Sequence, residues 1–263
     1  INYDYKNKYL LSITARYDGA SNLGDNNKWG FFPGVSLGWH VDKEKFWSFM
    51  PENLMTLKLR TSYGVNGNIS GLGDFTAQGN YSVGSKYLGK SAIILNALMN
   101  QDLSWEESKT FDIGADVTLF NNRLSIIFDY FKRKTDNLLT ERYLPHSTGF
   151  ESVKTNLGKL QNTGIELEVS SHILSPSCPV QWDLGFNISR VKNKILELPD
   201  NGIDRNRIGG EYIWNEKLHD YVWAGGLQEG GRMGDLFAYK MVGIYATDED
   251  AQNPSEPTDM IMT

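Results

Sequence analysis

The sequence predicts an all-β protein, an antiparallel transmembrane β-barrel segment of about eight or nine strands. Three observations carry that expectation. Apolar and polar residues alternate with period two through successive segments, the pattern of strands whose two faces meet different surroundings. Long and short connections alternate along the chain, which gathers the long ones at one end of the strands, as in outer-membrane barrels whose long loops face the cell exterior. Aromatic residues crowd beside the connections, where a Tyr or Trp ring is apolar on one side and wet on the other.

Taken in order, Ile1 to Tyr5 reads as the tail of a strand. Residues 8–18 set Tyr9, Leu11, Ile13, Ala15 and Tyr17 against Ser12, Thr14, Arg16 and Asp18. Residues 29–39 oppose Val35, Leu37 and Trp39 to Gly34, Ser36 and Gly38. Residues 54–66 oppose Leu57, Leu59, Thr61 and Tyr63 to Lys58, Arg60 and Ser62. In residues 105–120, Phe111, Ile113, Ala115, Val117 and Leu119 alternate with Asp112, Gly114, Asp116 and Thr118. Asn121-Asn122 then makes a tight turn. Residues 123–139 carry Leu124, Ile126, Phe128 and Tyr130 on one face, with Asp129 and Arg133 on the other. Residues 164–171 and 180–191 repeat the pattern through Ile165, Leu167 and Val169, then Trp182, Leu184, Phe186 and Ile188. A last, less regular segment is expected over residues 234–246.

The short connections are residues 6–8, 121–122 and 172–179. The long ones are 18–28, 67–104, 140–157 and 192–233. Residues 41–53 are an exception, longer than the rule allows on the short side, with one helical turn expected near Asp42 to Trp47. Tyr5, Tyr9, Trp39 and Phe120 are expected in a girdle at the short-turn end, and Tyr17, Trp29, Phe31 and Trp105 in one at the other.

Composition narrows the function. With 263 residues, 40% hydrophobic and 22% charged, the chain is ordinary in bulk. No apolar run is long enough for a transmembrane helix, although a barrel strand needs none. A net charge of -6 argues against a nucleic-acid partner. The lone cysteine, Cys178, lies in a Pro-Ser-Cys-Pro stretch and forms neither an intramolecular disulfide nor a cysteine zinc cluster. Both ends read as cut, since no initiator or leader begins the chain and no closing element ends it.

No catalytic site emerges, and no metal or cofactor is expected. His40, His146, His172 and His219 are far apart, without a zinc-binding spacing. Glu106-Glu107 would point to opposite faces of a strand, so the pair cannot flank one scissile bond. Gly71-Leu72-Gly73 precedes no helix pattern, and Asp248-Glu249-Asp250 reads as a solvated turn. Two sets of residues remain as candidates. Lys58, Arg60, Asp112, Asp116, Asp129, Arg133, Glu166 and Glu168 fall on the polar faces. A charge turned to lipid costs about 2–4 kcal/mol at mid-membrane, so these residues are expected to face a lumen. There they serve cross-strand pairing and solvation, or contact a plug or substrate. The second set is Tyr212, Trp214, Tyr221 and Trp223 in the long connection 192–233, with Tyr81 and Tyr87 in 67–104. Flat rings among polar groups suit sugar stacking or peptide side chains; they equally suit a loop that packs on itself.

Several stretches resemble the barrel of the SusC/RagA-like TonB-dependent transporters. Leu57-Lys58-Leu59-Arg60-Thr61-Ser62-Tyr63-Gly64-Val65-Asn66-Gly67-Asn68 is similar to the family's L-K-x-R-x-S-Y-G-x-x-G-N. Arg16-Tyr17-Asp18-Gly19-Ala20-Ser21 resembles its R-x-D-G-S-S loop, and Pro33 to Trp39 its P-S-x-S-x-G-W strand, with Glu44 and Phe46 following in register. Leu103 to Glu106, Gly114 to Leu124, Asp129 to Phe131, Thr135 to Leu139, Asn162 to Glu166 and Gly243 to Tyr245 continue the likeness in family order. Ala238-Tyr239 stands where Gly-Tyr is usual. The resemblance implies that residues 1–263 are part of a barrel of about 22 strands with a plugged lumen, without the plug, TonB box or signal peptide. It implies a bacterial outer-membrane location and contact with outer-membrane lipid. It also implies import of oligosaccharides, or peptides, driven by the TonB complex and assisted by a SusD-like surface lipoprotein, with no bond made or broken. A passive channel or structural barrel and a secreted glycan-binding β-sandwich are the alternatives.

Overall fold

Tight turns in left-handed conformation set the pairing at one end of the strands. Lys6 and Asn7 lie at φ 56° and 53°, and the Lys8 amide donates to the Tyr5 carbonyl at 3.0 Å. Phe120, Asn121 and Asn122 all have positive φ, a conformation Asn tolerates and one that matches the twist of a hairpin. The computed structural model describes residues 1–51, 54–174, 178–215 and 218–237, and the chain divides into two compact units, residues 1–193 and 194–263.

The first unit is built on a sheet of β1 (Asn2–Tyr5), β2 (Tyr9–Gly19), β3 (Trp29–His40) and β4 (Met55–Asn68). It continues after a separate hairpin of β5 (Asn80–Tyr87) and β6 (Lys90–Ala97), with β7 (Glu106–Leu119), β8 (Leu124–Tyr143), β9 (Ser152–His172) and β10 (Asp183–Glu197). The order is β1-β2-β3-β4-β7-β8-β9-β10, and every described pairing from β1 to β9 is antiparallel. Among the described residues the sheet does not close on itself.

The registers sort the side chains. Leu59 lies opposite Trp39 and Ala115, Ala115 opposite Phe128, and Phe128 opposite Leu167. Directly opposed residues share a face, so the alternating apolar residues of β2 to β9 form one continuous surface. That surface is not a core. Phe128 is 43% exposed and Ile113 48%, whereas the side chain of Asp129, on the other face, is only 18% exposed.

The apolar stripe has a definite height. On β7 it runs from Phe111 to Leu119, eight steps or ~27 Å of strand, which a barrel tilt of about 40° reduces to ~21 Å. On β3 it runs from Trp29 to Trp39, ~34 Å along the strand and ~26 Å after the same tilt. Both match an apolar band about 25 Å tall. Beyond Phe111 the same face turns ionic, where Lys109 meets Asp136 at 3.1 Å and Lys134 meets Asp136 at 2.9 Å.

Girdle residues mark the stripe's ends. Tyr5 and Tyr9 stack at 6.4 Å, and Tyr17 and Trp29 at 5.2 Å. At the short-turn end the Glu44 carboxylate accepts the Tyr9 hydroxyl at 2.6 Å, the Trp39 indole N–H at 3.2 Å and the Lys8 ammonium at 3.2 Å. The single helical turn expected near Asp42 is two short 3₁₀ turns, Val41–Lys43 and Lys45–Trp47.

Three expectations need correction. Trp105 is not an outward girdle residue: its ring packs edge-on against buried Phe32 at 5.2 Å, and its indole N–H donates to the Lys28 carbonyl at 3.2 Å. The connection 140–157 is mostly strand, because β8 and β9 keep pairing out to Tyr143 and Ser152. The connections 67–104 and 192–233 contain hairpins, β5–β6 in the first unit and β11–β12 in the second. The strand expected at residues 234–246 falls largely outside the described residues, as do Ala238-Tyr239, Gly243 to Tyr245 and Asp248 to Asp250.

The first unit's buried apolar cluster, Leu23, Ala77 and Leu103, lies among the long connections. The second unit has β11 (Glu211–Asn215) paired with β12 (Asp220–Ala224). Ile195, Leu198 and Ala224 are buried there, and so is the Arg207 side chain, which donates to the Gly225 carbonyl and, at 2.6 Å, to Gln228 Oε1.

Candidate functional site

The polar face of the sheet brings the predicted charged residues together. Lys58 lies opposite Asp116, Arg60 opposite Gly114, Gly114 opposite Asp129, and Asp129 opposite Glu166. Asp116 lies opposite Ile127, and Ile127 opposite Glu168. All eight charged candidates therefore share one face. Arg60 is the hub: its guanidinium reaches Asp116 Oδ1 at 2.9 Å, Asp129 Oδ2 at 2.7 Å and Asp112 Oδ1 at 3.7 Å. Lys58 stands 4.0 Å from Asp116. Arg133 donates to Thr110 Oγ1 at 3.3 Å, and Glu166 and Glu168 sit outside the Arg60 set.

Gly114 makes this hub possible. A Cβ there would stand 2.4 Å from Asp129 Oδ1 and 2.9 Å from the Arg60 guanidinium carbon. The missing side chain is the channel through which Arg60 on β4 reaches Asp129 on β8 across the intervening strand. Sequence reasoning singled out Arg60 and Asp129 but passed over the glycine between them, which only the register reveals. The Glu44 clamp was also missed as chemistry. Its signal was an acidic residue just past the aromatic end of a strand, within Asp42-Lys43-Glu44-Lys45.

The aromatic candidates divide. Tyr212 pairs with Trp223 and Trp214 with Tyr221, so the four rings occupy one face of the β11–β12 hairpin, with Ile213 and Val222 on the other. Tyr212 stacks on Tyr221 at 5.4 Å, and Trp214 meets Tyr221 edge-on at 5.3 Å. The rings pack on one another, yet Tyr212, Trp214 and Tyr221 each remain about half exposed. Tyr81 and Tyr87 are both exposed, but a register shift at Gly84 leaves them on opposite faces of the β5–β6 hairpin. The structure therefore does not join them into one site.

Among the described residues no group of three or more His, Cys, Asp or Glu side chains is arranged to hold a metal ion. His172 does meet Asp183 at 2.5 Å, on exposed strand ends.

Comparison with known proteins identifies the architecture. The family model described as "TonB dependent receptor-like, beta-barrel" matches residues 1–235. TonB-dependent receptor P3 of Formosa agariphila is 35% identical over 249 residues, covering 93% of this chain and 24% of that protein. TonB-dependent receptor SusC of Bacteroides thetaiotaomicron is 33% identical over 205 residues, covering 75% of this chain and 20% of that protein. The chain thus spans about a quarter or less of the length of these relatives. Among solved structures, the RagAB peptide transporter superposes with a TM-score of 0.68 at 27% identity, over 75% of this chain and 21% of that one. The RagAB peptide importer in its open-open state gives the same TM-score at 23% identity, a likeness of fold alone, over 90% of this chain and 29% of that one.

Proposed function

The chain belongs to the TonB-dependent receptor-like β-barrel family of the bacterial outer membrane, and from that premise we propose that it forms part of the wall of a nutrient importer. The family is one of receptors and transporters, not of enzymes. In this reading residues 1–263 all belong to one barrel domain, the apolar face meets lipid and the polar face lines the lumen. The observation that carries it is the inversion of burial across one sheet: apolar side chains stand exposed while the Arg60 carboxylate set is packed in and ion-paired. Water on both sides would reward the opposite arrangement.

The cargo is an oligosaccharide, or a peptide, too large for simple diffusion pores. A SusD-like lipoprotein receives it at the cell surface and the TonB complex supplies the energy, consistent with the SusC and RagAB relatives. The four rings of the β11–β12 hairpin are the proposed contact surface. A planar sugar or peptide group stacks on exposed rings that are already ordered by their neighbours, so little freedom is lost on binding. The polar-face residues line the passage and steady it by cross-strand pairing.

The test is uptake of a labelled oligosaccharide or peptide library by cells carrying the full-length protein. Dissipating the proton-motive force is expected to abolish uptake, whereas a passive channel would continue to fill. Trp214→Ala with Tyr212→Ala is expected to slow uptake at limiting substrate by about tenfold, the value of one or two lost ring contacts. Uptake that persists without the energy source refutes the importer reading in favour of a passive channel.

A further inference from the structure

Four neighbouring strands of the first unit, β7 to β10, lose their outward apolar residues close to one level. Ile113 lies opposite Tyr130, and Tyr130 opposite Ile165. One step towards the long connections, Phe111 lies opposite Lys132, and Lys132 opposite Thr163. A further step brings Lys109 opposite Lys134, and Lys134 opposite Gln161. β10 follows the same course. The Ile173 amide donates to the Trp182 carbonyl at 2.8 Å, and His172 meets Asp183, which sets Leu184 beside Ser171. Ser171 lies opposite Leu124, so Leu184 is on the outward face. Period two then carries Phe186, Ile188, Arg190 and Lys192 along that face, all of them exposed.

The belt beyond the apolar stripe is cationic. It sets Lys109, Lys132, Lys134, Arg190 and Lys192 against two carboxylates, Glu107 and Asp136. Asp136 takes Lys109 at 3.1 Å and Lys134 at 2.9 Å, and Glu107 takes Lys109 at 3.4 Å. Lys132, Arg190 and Lys192 make no ion pair among the described residues. At the opposite end of these strands Arg123 turns its guanidinium to the His172 and Ile173 carbonyls, and His172 lies against Asp183. On these four strands the unpaired cations therefore gather at the long-connection end. A Lys or Arg at the margin of an apolar band lays its methylenes along hydrocarbon and lifts its charge to the headgroups. The Arg190 fork matches two phosphate oxygens, and each ammonium adds a compact point charge. Thr163 and Gln161, on the strand between Lys132 and Lys192, add hydroxyl and amide donors without a repelling carboxylate.

We infer that this belt binds a phosphate-bearing lipid of the outer leaflet, its acyl chains on the apolar face and its phosphate among Lys132, Arg190 and Lys192. The inference rests on the proposed reading in which the apolar face meets lipid and the long connections face the exterior. The test is native mass spectrometry of the purified full-length protein in detergent, titrated with monophosphoryl lipid A, with its dephosphorylated form and with phosphatidylcholine. The phosphorylated lipid is expected to bind at least about tenfold tighter than the other two. Lys132→Gln with Arg190→Gln and Lys192→Gln is expected to weaken it on the order of 100-fold, at about fivefold for each cation. Lys86→Gln with Lys90→Gln and Arg142→Gln removes as much exposed charge from the β5–β6 hairpin and the tip of β8, and is expected to leave binding unchanged. Heat-modified gel mobility reports whether each variant is folded; should the belt variant not fold, Lys192→Gln alone carries the comparison at about fivefold. Equal affinity for the three lipids, or equal loss in both triple variants, overturns the inference. So does displacement of the lipid by inorganic phosphate where chloride of equal ionic strength has no effect, which marks a free-anion site. Loss of a copurifying protein from the belt variant, with no lipid preference, assigns the belt to an acidic protein surface and equally overturns it. Insertion of the protein into phosphatidylcholine vesicles tests the lipid-facing reading separately, so the two failures are distinguishable.

Discussion

A charge placed on the apolar face should cost free energy according to depth. Phe128 lies opposite Ala115, the midpoint of the Phe111 to Leu119 stripe, whereas Leu124 lies opposite Leu119 at its edge. Lysine in a barrel's lipid face costs about 2–4 kcal/mol at mid-membrane and about 0–1 kcal/mol near the interface. Phe128→Lys should therefore exceed Leu124→Lys by ~2–3 kcal/mol, or ~30- to 150-fold in the folding equilibrium, because each ~1.4 kcal/mol is tenfold. Ser125→Lys, on the polar face beside Leu124, should be nearly neutral. The assay is denaturant unfolding of the full-length protein in lipid vesicles, followed by tryptophan emission and by the mobility shift of the folded barrel. Equal costs at Phe128 and Leu124, or a larger cost at Ser125, would refute the claim that this face meets hydrocarbon.

Three further outcomes are expected. Gly114→Val puts a branched side chain where Asp129 and Arg60 leave no room and should destabilise by about 1–3 kcal/mol, whereas Gly185→Ala, with nothing within 4 Å, should be tolerated; thermal melts of the folded barrel compare them. The hydrogen bonds from Tyr9, Trp39 and Lys8, in that order of effect, hold the Glu44 carboxyl below its usual range. Its stabilisation is then full above about pH 4.3 and is lost as pH falls through the lowered folded value. Glu44→Gln should flatten the melting temperature's dependence on pH below that point, and an unchanged acid limb would count against the clamp. Finally, residues 1–263 alone in aqueous buffer should show no cooperative melt, because among the described residues no second sheet covers the apolar face and no further strand pairs beyond β1 or β10; a sharp transition without detergent would contradict this.

The strands were legible where one face is apolar and the other polar, and became illegible where that contrast ends. On β8 and β9 alternation fades past Tyr130 and before Ile165, yet pairing continues to Tyr143 and Ser152. Beyond the apolar stripe that same face turns polar, as Lys132, Lys134 and Asp136 show, so the contrast between faces is lost and period two leaves no trace in hydropathy. The β5–β6 hairpin was hidden for two local reasons. Gly84 inserts an extra residue that breaks the period, and the turn uses Leu88 at φ 50° before Gly89, where a turn signature would have Asn or Asp. Trp105 misled because its position in sequence continues the apolar alternation of β7, but the strand begins one residue later and the ring turns to Phe32. The polar candidates were found by parity alone; that Arg60 unites three aspartates drawn from two different strands needed the register.

That hub bears on which solvent each face meets. A soluble sandwich covers its apolar faces with a second sheet about 10 Å away, and within the first unit no described sheet lies over the apolar residues of β2 to β9. The carboxylates, by contrast, are drawn together around one guanidinium across β4, β7 and β8. Exposed charges in free water gain little from such convergence, since ion pairs there are worth ~0–1 kcal/mol. Convergence is favoured where the surroundings screen poorly, as they do against packed protein. Gly114 is the mark of that pressure: a strand position gives up its side chain, and the stability a side chain would add, so that a cation on one neighbouring strand can reach an anion on the other. The same residue type at Gly185 has empty space beside it, which separates a glycine required by its neighbours from one that is merely tolerated.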